Sequence, residues 1–531
     1  MSSFAQRSIV REVLLWSAPA LAVGFFLRAW LTWALPYGYL QFDSIDFLET
    51  PYYLLDAHKW VVNSKRSFLV PLTFTIPFYL HIPALLFIPL LQHFLGLVQI
   101  AFAGALVRFW FAKWQWFIVP VTLLVAISPW NLWFEHALMG EAQYLFLLFA
   151  SALTGTLWAR KPVWQRFVLF WFTAFLAACS RGEGKLFLVF PIVLVVFVLW
   201  RKWRPLAIHL AVSLVAAVII FLSVKSPTNA STNLYVSLVH MAPDHFRSEP
   251  GIEPYLGPVR DQVKAQNLEY PEDSVMLAKR VQDAVDIYTK KIMPSDSSLK
   301  NQRRRGAKIL NRLSLQIIRD HPVKALILPL RKFQLALDSW MSGDFDEHFL
   351  QDKQRYALKR NDWMENVLGQ GLTGKKMSVA EFDRFVEEHY DPKGVTWFGK
   401  LADGWNDGLI FLRTPDQRLT RKRWVHDFHP GIKLERMGIP GVPLFYMLAV
   451  AGMLLAAFRP LDQRQAQLAW AIALLFSWYC VLTVGDTLPR YSVAYQPFCV
   501  LFFFGFFDWI AARFARKTSD KNATLRNSDR D

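Results

Sequence analysis

Residues 85–110 read LLFIPLLQHFLGLVQIAFAGALVRFW, an apolar run in which Arg108 is the one Lys, Arg, Asp or Glu. A helix needs roughly 20 such residues to cross a bilayer core about 30 Å thick. A helix on a soluble core would show a polar face, and this run has none. The stretch decides the fold class: an all-α polytopic membrane protein. Comparable runs give ten expected spans: Val13–Leu35, Leu85–Trp110, Trp116–Phe134, Glu141–Ala159, Trp164–Ser180, Leu186–Trp200, Pro205–Val224, Ile439–Phe458, Leu468–Val484 and Val493–Ala512. Arg7 and Arg11 precede a first span too long for a signal-peptide core, so that segment reads as retained.

The 531-residue composition agrees, with 53% hydrophobic and 19% charged residues. So apolar a chain is not intrinsically disordered. Cys179, Cys480 and Cys499 all lie in apolar segments, which excludes a disulfide scaffold. The net charge of +17 is not a nucleic-acid signature once its positions are mapped. Connections on one side of the expected spans hold 18 Lys and Arg; those on the other hold Lys59, Lys65, Arg66, Arg181, Lys185 and Arg490, while Arg28 lies within the first span. The basic side is cytoplasmic. Both termini are therefore expected inside, in the bacterial inner (plasma) membrane.

Four units follow. Residues 1–224 form a transmembrane module whose first outer loop is 36–84, residues 225–438 an outer domain, residues 439–512 the last spans, and residues 513–531 a basic tail expected to be disordered. Within the outer domain 34 Lys and Arg nearly balance 28 Asp and Glu, as on a solvated domain, and helical patterns recur at Asp273–Ile292 and Leu299–Arg319. The Arg303–Arg305 run reads as a solvated face near headgroups. Phe68–Pro83, interrupted by Pro71 and Pro77, reads as re-entrant or interfacial. Pro322–Trp340 carries Arg331 and Lys332 and reads as an interfacial helix on the outer leaflet.

Eight acids gather at the outer ends of the spans: Asp43, Asp46, Glu49, Asp56, Glu135, Glu141, Glu183 and Asp486. Ionisable groups at that depth are costly and usually face a cavity or one another. Asp56 and Glu135 are expected to reach up to the headgroups; Glu141 and Arg181, which border apolar spans, are not. Carboxylates and guanidiniums together at an outer face suit transfer of a sugar from a lipid phosphate. A carboxylate takes the proton of an acceptor hydroxyl, and Arg or Lys stabilises the departing phosphate.

Four stretches give this pattern a resemblance. Phe42-Asp43-Ser44-Ile45-Asp46-Phe47-Leu48, with Arg66 to Pro71 downstream, is similar to the acidic first-loop motif of the GT-C superfamily of membrane glycosyltransferases. The branch it resembles includes protein O-mannosyltransferases and the aminoarabinose transferase. Leu138-Met139-Gly140-Glu141 after Pro129, Ser180-Arg181-Gly182-Glu183-Gly184-Lys185, and Pro489-Arg490-Tyr491 with Pro497 resemble its later outer-face motifs. Phe47 stands near the place where the family often has Tyr. The resemblance covers the spans and not most of the outer domain.

It implies a GT-C-like bundle and an inverting transferase that uses a polyprenyl-phosphate-linked sugar donor and a glycan, lipid or protein acceptor among membrane lipids. Asp43, or in its place Asp46, would be the base. Glu141 would be a second carboxylate that positions the acceptor or a cation. Arg66, Arg181, Lys185, Arg490 and Tyr491 would hold the donor head, and Mg²⁺ or Mn²⁺ is a possible cofactor. His240 is read as structural. A transporter or flippase, a non-catalytic subunit of a glycan assembly complex and an O-antigen-ligase-like enzyme are the competing readings.

Overall fold

The computed structural model describes residues 3–38, 44–56, 58–59, 67–223, 230–239, 246–265, 274–294, 299–327, 329, 444–484 and 495–528, with eight isolated positions between 373 and 388. Every regular element among them is helical. In chain order these are α1 (Ser3–Ala34), α2 (Ser44–Asp56), α3 (Leu69–Tyr79), α4 (Ala84–Trp110), α5 (Trp114–Ile127), α6 (Pro129–His136), α7 (Glu141–Arg160) and α8 (Trp164–Ser180). A 3-10 turn (Gly182–Leu188) leads into α9 (Val189–Leu199) and α10 (Trp203–Ser223). Then come α11 (Ala230–Leu238), α12 (Glu253–Ala265), α13 (Ser274–Ile292), α14 (Leu299–Asp320), α15 (Leu444–Leu455), α16 (Leu461–Val484) and α17 (Gln496–Ser528).

Among the described residues seven helices are long and apolar enough to cross a membrane: Ile9–Ala34, Ala84–Trp110, Glu141–Arg160, Gly182–Leu199, Trp203–Leu222, Arg464–Thr483 and Gln496–Ala515. The other three of the ten expected spans are not among these seven. Trp116–Phe134 is split, because α5 ends at Ile127 and Pro129 opens α6. A residue before proline is pushed out of the α region, and proline suits the first helical position. Trp164–Ser180 is a helix with the expected bounds, 17 residues long, at the short end of what spans a bilayer. Of Ile439–Phe458, residues 439–443 lie outside the described ones, and α15 with its closing 3-10 turn occupies Leu444–Phe458. The 11 residues of α3 rise only about 16 Å, too little to cross.

Large apolar side chains on α1 (Phe25, Phe26, Trp33) and α10 (Ile208, Val215, Ile219, Leu222) face outward, as a lipid-bathed bundle requires. The interior is aromatic. Trp110, Trp158 and Trp470 are fully buried, and Trp110 Nε1 donates to Thr156 Oγ1 at 3.0 Å. Phe149 and Phe498 stack with centroids 4.5 Å apart, joining α7 to α17. Small residues let helices approach where lipid supplies no hydrophobic drive. At Gly452 of α15 an added Cβ would fall inside the backbone carbonyl of Phe502 in α17, which cannot give way. Gly452→Ala is expected to destabilise the protein by about 1–3 kcal/mol, read as an earlier thermal unfolding in detergent.

The end of the bundle opposite Glu141 is closed by a buried ion pair. Arg459 Nη1 donates to Asp508 Oδ2 at 2.6 Å and to the Trp110 carbonyl at 2.9 Å, and Nη2 donates to the Gly505 carbonyl. Asp508 in turn accepts from the backbone N–H groups of Ala112 (3.0 Å) and Lys113 (2.7 Å). The α4–α5 connection, the α15–α16 connection and α17 are thereby tied together.

Helices α11–α14 share their own core. Leu277, Val281, Val285 and Tyr288 of α13 meet Ile309, Leu310, Leu313 and Ile317 of α14, the i, i+3/i+4 spacing of amphipathic helices. Both helices sit within one residue of their expected bounds. Of Pro322–Trp340, residues 322–327 and 329 are helical and the rest lies outside the described residues, Arg331 and Lys332 included. Along the basic tail, α17 continues as helix to Ser528. No Pro or Gly interrupts 513–528, and propagating an existing helix needs no new nucleus.

Candidate active site

Glu141 is the first residue of α7, and Arg181 follows the last residue of α8. The two helices pack side by side, so their facing ends bring the two residues together although 40 positions separate them in the chain. The turn after Arg181 depends on Gly184, where a Cβ would overlap the Ala177 carbonyl. With hydrogen alone at that position, the 3-10 turn folds flat on the last turn of α8 and returns Glu183 toward Arg181.

Arg181 pairs with two carboxylates. One nitrogen, Nη1, makes an ion pair with Glu141 Oε1. Nη2 donates to Glu183 Oε1 at 2.9 Å and Nε to Glu183 Oε2 at 3.2 Å. Two acids on one guanidinium leave the trio at a formal charge of −1. The Glu141 side chain is 6% exposed, and its Oε2 has no hydrogen-bond partner among the described residues. That oxygen can accept a proton or a hydroxyl hydrogen bond. Arg181 Cζ lies 5.9 Å from the ring centroid of Tyr144. Tyr144 begins an aromatic wall that continues through Phe187 (6.3 Å), Tyr495 (5.8 Å) and Trp478 (5.2 Å).

Helices α2 and α3 pack over the same end. Asp46 lies in the first turn of α2 and is half-buried. Phe47, its neighbour, packs on Phe74 of α3 at 5.9 Å and against Gly140, which immediately precedes Glu141. Gln143 Nε2 donates to Thr73 Oγ1 at 3.0 Å, seating α3 on α7. Lys185 reaches the last turn of α10, donating from Nζ to the Phe221 carbonyl at 3.2 Å, 5.0 Å from the Phe221 ring.

Of the expected site residues, Asp46, Glu141, Arg181 and Lys185 therefore lie at one end of the bundle. Asp43, Arg66, Arg490, Tyr491 and His240 lie outside the described residues, as does the side chain of Asp56. Glu183 was counted among the outer acids but not as a site residue; its partnership with Arg181 could have been read from their i, i+2 placement on a Gly-flanked turn. Glu135 is a correction. It does not reach up to the headgroups but is 1% exposed and paired with Arg28 and His93. A buried partner on another helix offsets the desolvation that would otherwise drive it to water.

Among the described residues no three His, Cys, Asp or Glu side chains converge as a metal-binding group. Glu141 and Glu183 are both engaged by Arg181, which leaves Glu141 Oε2 open. No step below passes through Mg²⁺ or Mn²⁺.

Neither a family model nor a curated protein matches this chain. Among solved structures, the crystal structure of ArnT from Cupriavidus metallidurans bound to undecaprenyl phosphate is similar over 89% of this chain and 77% of that one, with 13% sequence identity and a TM-score of 0.31. At that distance the likeness bears on no residue's role.

Proposed function

We propose that this chain is an inverting membrane glycosyltransferase of GT-C type. It would move a sugar from a polyprenyl-phosphate donor to a hydroxyl of a glycan, lipid or protein acceptor, with the Glu141–Arg181 end of the bundle on the outer face. The observation that carries the reading is a nearly buried carboxylate, Glu141, fixed by Arg181 through one oxygen and leaving the other open, beside the helix that carries Asp46.

In this reading Asp43, or in its place Asp46, takes the acceptor's hydroxyl proton as the oxygen attacks the anomeric carbon. The bond from that carbon to the phosphate oxygen breaks with inversion, and polyprenyl phosphate leaves with the electron pair. Three of Arg181's nitrogens already meet carboxylates, so its first task is to order Glu141, whose open oxygen orients the acceptor. Arg66 and Arg490 are then the residues assigned to the charge that grows on the phosphate.

The test is lipid profiling of a deletion strain, which should accumulate one polyprenyl-phosphate sugar and lack one glycan. A plasmid carrying the parent chain should reverse both changes, and Asp43→Asn, which keeps shape and removes the proton acceptor, should reverse neither. Normal glycan with the Asn variant would end the assignment of the base.

A second reading, transport or flipping of a lipid-linked glycan, is favoured by one observation: Arg28, Glu135, His93 and His136 form a buried cluster inside the bundle, and buried intramembrane charges also mark transport paths. Purified protein in liposomes separates the two. Transfer of sugar without net movement of the lipid supports the transferase.

A further inference from the structure

The buried cluster has a geometry that the transfer chemistry does not use directly. Arg28 of α1 forks onto Glu135 of α6, Nη2 to Oε1 at 2.6 Å and Nε to Oε2 at 2.7 Å. Its Nη1 donates to the Gly24 carbonyl at 3.0 Å and to the Ala126 carbonyl of α5 at 3.3 Å. His93 of α4 lies with Nδ1 3.0 Å from Glu135 Oε2 and Nε2 3.1 Å from His136 Nδ1. Gly96, nearly one turn beyond His93, makes room, since a Cβ there would overlap the Glu135 carboxylate.

Arg28 and His93 share the Glu135 carboxylate, and His93 in turn meets His136, so the orientation of both rings is tied to the Arg28–Glu135 fork. Such an arrangement is costly to bury, and apolar residues of the same volume are often at least as stabilising. Stability alone does not account for it.

What the chain joins does. His136 ends α6 and opens the four-residue connection to Glu141. Its carbonyl abuts Gly38, where no side chain would fit, and the Gly38 N–H donates to the Leu85 carbonyl at 2.7 Å. Gln92, beside His93, donates to the Met139 carbonyl at 2.6 Å, inside that same connection. Adjacent residues of α4 therefore grip the segment that aims Glu141, and the start of α4 grips the root of the first outer loop.

We propose that Arg28–Glu135–His93–His136 is an anchor that holds the root of the acid-bearing first outer loop and the Glu141 connection in one fixed arrangement, with His93 as its central positioning residue. Its purpose rests on the transferase reading, since a base and a second carboxylate placed about 1 Å off can cost about 10²-fold in rate.

The test uses the full chain in lipid nanodiscs, with Cys480→Ser and spin labels on Lys59→Cys in the first outer loop and Leu222→Cys at the end of α10, both exposed positions. His93→Asn keeps a donor where Nδ1 meets Glu135 but cannot reach His136. The double variant Arg28→Met, Glu135→Met removes both charges at similar volume. Both should stay monodisperse and melt near the parent, while a displaced label distance rises from below about a tenth of the population to the majority. Glu141→Gln should keep the parent's distances. Parental distances in folded His93→Asn and in the folded double variant would overturn the anchor. So would loss of fold in both and in Glu135→Gln, which would make the cluster purely structural. Shifted distances together with no accumulated polyprenyl-phosphate sugar in the deletion strain would keep the anchor and remove the transferase reading. The opposite pair of results would do the reverse.

Discussion

Glu141→Gln is expected to yield a protein that folds and melts like its parent and transfers sugar about 100-fold more slowly or worse. Glutamine keeps one oxygen to accept from Arg181, and Arg181 stays held by both oxygens of Glu183, so the α7–α8 contact survives. The loss is confined to the second oxygen, which becomes an N–H donor where an acceptor stood unpartnered. An incoming hydroxyl that donated to that oxygen now meets a donor, and the site loses a unit of negative charge. The measurement is glycan formation from polyprenyl-phosphate sugar by purified protein, with melting temperature as the control. Near-parental rates would remove Glu141 from the reaction, and an early melt would mean that the carboxylate serves the fold.

The second large effect lies at the opposite end. Asp508→Ala should cost about 3–5 kcal/mol, the usual result of leaving a buried charge without its partner. Asp508 is fully buried, and its removal strands Arg459 and two backbone N–H groups at Ala112 and Lys113. Heat inactivation of membrane proteins is seldom reversible, so the readout is the half-life of monodisperse protein at a fixed temperature. Replacing both Arg459 and Asp508 by Met should hurt less than Asp508→Ala alone, because no charge is then left uncompensated. If the single substitution is as durable as the parent, the pair does not close that end of the bundle.

These two ends were unequally legible in the sequence. Helices α13 and α14 could be placed to within a residue because amphipathic spacing is a local signal, as in Leu277, Val281 and Val285. Uniformly apolar runs show that a helix is there but say little about where it bends, and the span expected at Trp116–Phe134 is cut at Ser128–Pro129. A proline in a long apolar run can kink a helix or end it, and the neighbours decide which. Charge pairing was the least legible. Arg28 and Glu135 are 107 residues apart, and Arg459 and Asp508 are 49 apart. No periodicity connects such partners, so an acid near a span end reads as one that reaches for water unless the facing helix is known. Glu141 and Arg181 were recognisable as a group because both sit where an apolar span begins or ends, on the same side of the membrane.

One consequence follows from the two carboxylates on Arg181. Neighbouring acids that look interchangeable have opposite leverage on the guanidinium they share. Neutralising Glu183 would hand Arg181 wholly to Glu141 and lift the local charge from −1 to zero, easing the approach of an anionic headgroup. Neutralising Glu141 makes the same electrostatic change but takes away the open oxygen. In the transferase reading Glu183 would therefore act as ballast, a weight that sets how welcoming this corner is to phosphate without touching what arrives there.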